Sequence, residues 1–92
     1  MTLSPPVRAA VLEVVRRLRD PKREATPEAV GAYVRCQLAY NADATWALRE
    51  VRSGLGFDEN DVASIPRWAR GKSREEVAQA LEKIATPGRT VR

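Results

Sequence analysis

Apolar residues recur at helical spacing through the first part of the chain. Val7, Val11, Val14 and Leu18 fall on one line, with Ala10 and Val15 beside them. Such a stripe predicts an amphipathic helix with one buried face. Ser4, Pro5 and Pro6 supply its start, a capping hydroxyl followed by proline in the first turn. Pro21 disfavours helical geometry at Asp20, so the helix should end near Arg19. On the outer face Glu13 and Arg17 stand four residues apart, which predicts an ion pair.

Thr26, Pro27 and Glu28 repeat the start signal and predict a second helix reaching about Tyr40. Val30, Tyr33, Val34, Cys36, Gln37 and Leu38 cover a broad arc, and Ala29, Gly31, Ala32 and Ala39 fill most of the rest. Only Glu28 and Arg35 are charged. A helix nearly apolar all round belongs in the centre of a bundle, so this is the expected core helix, with Cys36 as a small buried hydrophobe.

A third helix, capped by Asn41 or Asp43, should run to Ser53 with Ala44, Ala47, Leu48 and Val51 inward, and exit through left-handed backbone at Gly54. Asp58, Glu59, Asn60 and Asp61 place anions at the start of a short fourth helix. Pro66 stops that helix or restarts it as a single turn to Arg70, and Gly71 closes the turn. Ser73 and Glu76 form a capping box for a last helix over 74–85, with Val77, Ala78, Leu81 and Ile84 inward. No useful strand alternation interrupts the series. The expected fold is all-α: a compact bundle of four to five short helices in a single domain over 1–86, with 87–92 a flexible basic tail.

Composition removes more functions than it suggests. There is no histidine, which takes away the usual general base and the commonest metal ligand. Cys36 is the only cysteine, so zinc and redox motifs built on cysteine pairs are excluded. Asp58, Asn60 and Asp61 lack the spacing of a calcium loop, and Gly54 with Gly56 lacks the third glycine of a nucleotide fingerprint. No catalytic residue, metal site or cofactor is expected. The absence of a long apolar run predicts no membrane span, and the start lacks a signal-peptide layout, so a cytoplasmic protein is expected.

Charge is concentrated. The net +4 of the chain hides two patches, 16–23 and 67–74, each carrying +4, against −4 for the remainder. The stretch Arg67, Trp68, Ala69, Arg70, Gly71, Lys72, Ser73, Arg74 sets four cations around an indole, a pattern suited to phosphate or acidic partners. Arg16, Arg17 and Arg19 form the other cluster, continued by Lys22 and Arg23. Clustered cations on a helix end are otherwise a solvated face favoured by the helix dipole.

Helices two and three, joined by a short polar turn, have the broad layout of a helix-turn-helix. Thr45, Arg49 and Arg52 would then be the base-reading face; the plainer alternative is an αα-hairpin with a solvated polar side. Trp46 lies opposite the core face by helical phase. It is either an interface anchor or packed beneath the 54–66 segment, and Trp68 poses the same choice.

Ile65, Pro66, Arg67, Trp68, Ala69, Arg70, Gly71 and Lys72, ahead of a capped helix, resemble the close of the recognition helix in the Xre/Cro-type helix-turn-helix family. Upstream, the run from Leu48 to Phe57, followed by Val62 and Ala63, is similar to that family's first helix and early second helix. Only four residues separate Ala63 from Trp68, where the family needs most of a helix, a turn and the recognition helix. Membership does not follow, and no residue role is carried over.

Two functions remain. One is a non-enzymatic, nucleic-acid (DNA) binding domain holding phosphates with Arg16, Arg17, Arg19, Arg67, Arg70, Lys72 and Arg74. The other is a protein-interaction module, such as a phage-type inhibitor, antitoxin-like adaptor or complex subunit, meeting an acidic protein surface with Trp46 or Trp68 as anchor. A homodimer is compatible with either.

Overall fold

All six residues of the first stripe, Val7, Ala10, Val11, Val14, Val15 and Leu18, are buried, and they make α1 (Pro5–Arg19) the spine of the protein. The computed structural model describes residues 3–38 and 44–86. After α1 a turn leads into a single 3₁₀ turn, Pro27–Ala29, and then α2 (Val30–Gln37), α3 (Thr45–Gly54), α4 (Ser64–Ala69) and α5 (Arg74–Ala85). The described residues contain five α-helices and no strand, so the fold is all-α.

The most extensive packing is α1 against α5. Val77, Ala78, Leu81 and Ala85 supply the face of α5, and Leu81 is the largest fully buried side chain. Burying one such leucine or valine contributes about 1.5–3 kcal/mol. Val30, Val34, Ala47, Val51, Ile65 and Ala69 complete one continuous cluster with Leu3.

The second helix is therefore not the central one. It is eight residues long, Val30 and Val34 are its buried positions, and Ala32, Arg35, Cys36 and Gln37 are exposed. Its apolar look came from Gly, Ala and Cys, small residues whose burial gains little. Cys36, expected inside, lies at the surface. Ala39, Tyr40, Asn41, Asp43 and the 87–92 tail lie outside the described residues, so the expected caps of α3 are not placed.

Several local details differ from the expected ones for identifiable reasons. Ser4 does not cap α1 with its hydroxyl; its N–H and Oγ donate to Glu50 Oε1 and Oε2 at 2.8 and 3.0 Å, tying the start of α1 to α3. Glu13 pairs with Arg16 at 3.8 Å, while Arg17 lies over the Tyr33 ring, 4.2 Å from its centre. Helix α3 ends in a Schellman motif, with Phe57 N–H on the Arg52 carbonyl and Gly56 N–H on that of Ser53. The left-handed residue is thus Gly56 (φ 89°). Gly54 remains helical, packed so close to Ile84 that a Cβ there would lie 3.3 Å from its Cδ1.

Residues 58–63 form turns in place of a helical start. Asp58 and Asp61 accept bonds from the N–H groups two residues on, Asn60 and Ala63, which diverts the backbone from helix. Helix α4 begins at Ser64 and accommodates Pro66 in its first turn, where no N–H is needed. Gly71 (φ 84°) closes the turn after it. The Ser73–Glu76 capping box is fully formed at the start of α5.

Candidate nucleic-acid interface and an apolar groove

Arg74, at the first position of α5, sends its side chain away from its own helix and onto the end of α1. Nε donates to the Leu18 carbonyl at 2.8 Å, and Nη2 donates to the carbonyls of Arg17 and Asp20 at 3.0 and 2.8 Å. The last carbonyls of a helix lack intrahelical partners and carry partial negative charge, so a guanidinium is a strong cap for them. Arg19 completes the junction through Glu75 and Glu82, at 3.0 and 3.1 Å. The Glu75 bond foremost raises the Arg19 pKa and lowers that of Glu75.

These contacts, each spanning more than fifty residues of sequence, join the two basic segments. The turn after α1 is held by Arg74, by Asp20 Oδ1 accepting from Lys22 N–H at 2.9 Å, and by the Tyr33 hydroxyl accepting from Thr26 N–H at 2.9 Å. Lys22 and Arg23 are exposed on that turn, with Arg16 one helical turn before it. Arg70 and Lys72 are exposed on the turn before α5. Lys72 Nζ lies 5.9 Å from the centre of the Trp68 ring, a marginal cation–π distance.

Trp68 is half-buried against the core, with Phe57 edge-on to it at 6.0 Å between ring centres. It pins α4 while Arg67, Arg70 and Lys72 remain outside. Trp46 is half-buried against the core as well, on the face that helical phase had turned outward.

The ten polar residues singled out from the sequence thus divide. Arg16, Arg70 and Lys72 are exposed around the corner. Arg17, Arg19 and Arg74 build it. Arg67 donates to Asp61 Oδ2 at 2.5 Å, and that bond is the chief reason the Asp61 carboxyl stays below its ordinary range.

On α3 Thr45 and Arg49 are exposed, but Arg52 is buried at 6% exposure, its Nη1 donating to the Glu59 carbonyl at 2.8 Å. A base-reading role for Arg52 is incompatible with that placement. Its spacing from Thr45 and Arg49 suggested a common outer face, but the 58–63 turns fold over the end of α3 and cover it.

Sequence reasoning missed a groove of about 360 Å³ between α2, α3 and α4. The 3₁₀ turn and α2 contribute Glu28, Gly31, Ala32 and Arg35. Leu48, Thr45 and Arg52 come from α3, and Val62, Ile65 and Pro66 form the third side. Val62 is 73% exposed, the one large hydrophobic so exposed among the described residues. The i, i+3, i+4, i+7 spacing of the α2 wall was present in the sequence, but the facing helices were not.

Among the described residues, no three His, Cys, Asp or Glu side chains come together as metal ligands, and no helix is long and apolar enough to cross a membrane. No family model, curated protein or solved structure matches the chain.

Proposed function

We propose that this protein is a non-enzymatic helical domain that binds nucleic acid through its phosphate backbone. The observation that carries the reading is the Arg74 junction, which ties the start of α5, two residues after Lys72, to the Asp20 carbonyl, two residues before Lys22. Two basic segments, each a common solvated feature alone, become one cationic corner. Arg16, Lys22, Arg23, Arg70 and Lys72 are its contacts, and the lysine and arginine side chains suit phosphate oxygens.

Arg52 is committed to the Glu59 carbonyl, so α3 lacks the three-residue reading face a sequence-specific helix would need. The expected binding is accordingly tolerant of sequence. The non-enzymatic part of the proposal rests on the lack of histidine and of any recognisable catalytic motif.

Fluorescence anisotropy with a short labelled duplex, repeated across salt concentrations, tests the reading. Five phosphate contacts give a slope of log K against log salt of about −4.5. Arg70→Ala and Lys72→Ala should each flatten it by about one. Absent binding at low ionic strength, or a slope that neither substitution changes, rejects the proposal.

A further inference from the structure

The groove between α2, α3 and α4 is separate from the basic corner, and its exposed charges have a different arrangement. Arg52 is buried and bonded to Glu59, which leaves Glu28 and Arg35 as the exposed charges on its walls. They are opposite in sign and seven residues apart, roughly 10 Å along the helix axis. The midpoint between them falls between Gly31 and Ala32, the two smallest side chains of that face. A two-fold axis there superimposes each charge on its opposite.

We propose that this face is the interface of a homodimer, in which a second copy packs α2 against α2 in antiparallel fashion. Glu28 of each copy meets Arg35 of the other, the small exposed Ala32 lets the two helices approach near the axis, and each Val62 seats in the facing groove. An isologous contact requires such self-complementarity. Exposed ion pairs contribute little by themselves, so they set register and orientation. The affinity comes from covering Val62 and the apolar groove.

Other occupants fit less well. A phosphate backbone would meet the Glu28 carboxylate and apolar walls. A small ligand would stay largely in water, since Glu28, Ala32, Arg35, Thr45 and Val62 are all exposed, whereas small-molecule sites enclose most of their ligand. The inference is independent of the nucleic-acid reading.

Sedimentation equilibrium of the full chain over a wide concentration range tests it. The mass should rise with concentration from 10.2 kDa towards twice that value. Arg35→Glu or Glu28→Arg alone should weaken the dimer at least tenfold, and the double reversal should restore it. Val62→Asp should leave a monomer.

All three positions are exposed, and circular dichroism of each variant checks that folding is intact. In a Cys36→Ser background, Ala32→Cys should cross-link the dimer on mild oxidation. A monomer at every concentration, a dimer indifferent to the single reversals, or a double reversal without rescue overturns the proposal. So does a DNA duplex or peptide that titrates the Ala32 and Val62 amides while the protein stays monomeric.

Discussion

Arg74 and Leu18 are joined by a 2.8 Å hydrogen bond from the guanidinium Nε to the main-chain carbonyl, with the Arg17 and Asp20 carbonyls sharing the same side chain. A cation at the first position of a helix is unfavourable to that helix. Here the long side chain moves the charge to the end of α1, where it is favourable. Arg74→Ala should cost about 2 kcal/mol, three carbonyls losing a charged donor at once. Lysine lacks the planar fork, so Arg74→Lys should recover only part of the loss. Urea denaturation of the three proteins checks this. Equal stability of the lysine variant and the original would mean that charge alone closes the junction.

Gly56 has φ 89° with nothing within 4 Å of the position a Cβ would take. Gly56→Ala should therefore destabilise by about 1 kcal/mol through backbone conformation alone. Asparagine tolerates the left-handed region, so Gly56→Asn should cost less. Thermal unfolding of both variants decides whether conformation or packing governs the site, and a larger loss with asparagine would point to packing.

The pH dependence of stability should come from carboxylates. Asp61, Glu75 and Glu76 are lowered from ordinary values of 3.8, 4.5 and 4.5, chiefly by Arg67, by Arg19 and by the Ser73 N–H respectively. A carboxyl depressed in the folded state contributes stability above its unfolded pKa, and that contribution is lost as pH falls through the folded one. Stability should thus hold down to about pH 5 and decline below the ordinary carboxylate range. Because the chain has no histidine, no step is expected near pH 6–7. Urea midpoints measured from pH 8 to pH 3 would expose such a step if one existed.

Cys36 is exposed on α2. A thiol reagent added to the native protein should react with it fully and without denaturant, at a rate close to that of an unfolded control. A reaction that waits for unfolding would place the thiol inside, as the apolar pattern of that helix had suggested.

The strongest periodic signals carried over intact. The α1 stripe, its end at Arg19, the Ser73 box and the inward face of α5 all needed only local information, since propensity, capping and helical phase are set by neighbours within a turn or two. Helix α2 was legible as a helix but not in rank. Counting Gly31, Ala32 and Cys36 as apolar overstated how much of its surface folding needed to bury.

For the candidate sites the division is sharper. The sequence by itself determined that this is an all-α chain with nine of its sixteen cations gathered in two segments, because charge and period are properties of residue order. Which cations stay available was decided only by tertiary structure. Arg19 and Arg74 differ from Arg70 and Lys72 in what folding sets opposite them: carboxylates and helix-end carbonyls for the first pair, an exposed turn for the second. In the stretch around Trp68 the indole packs against the core, Arg67, Arg70 and Lys72 stay exposed, and Arg74 turns in to cap α1. Long-range partners of that kind, more than fifty residues away in sequence, leave no periodic trace in the chain.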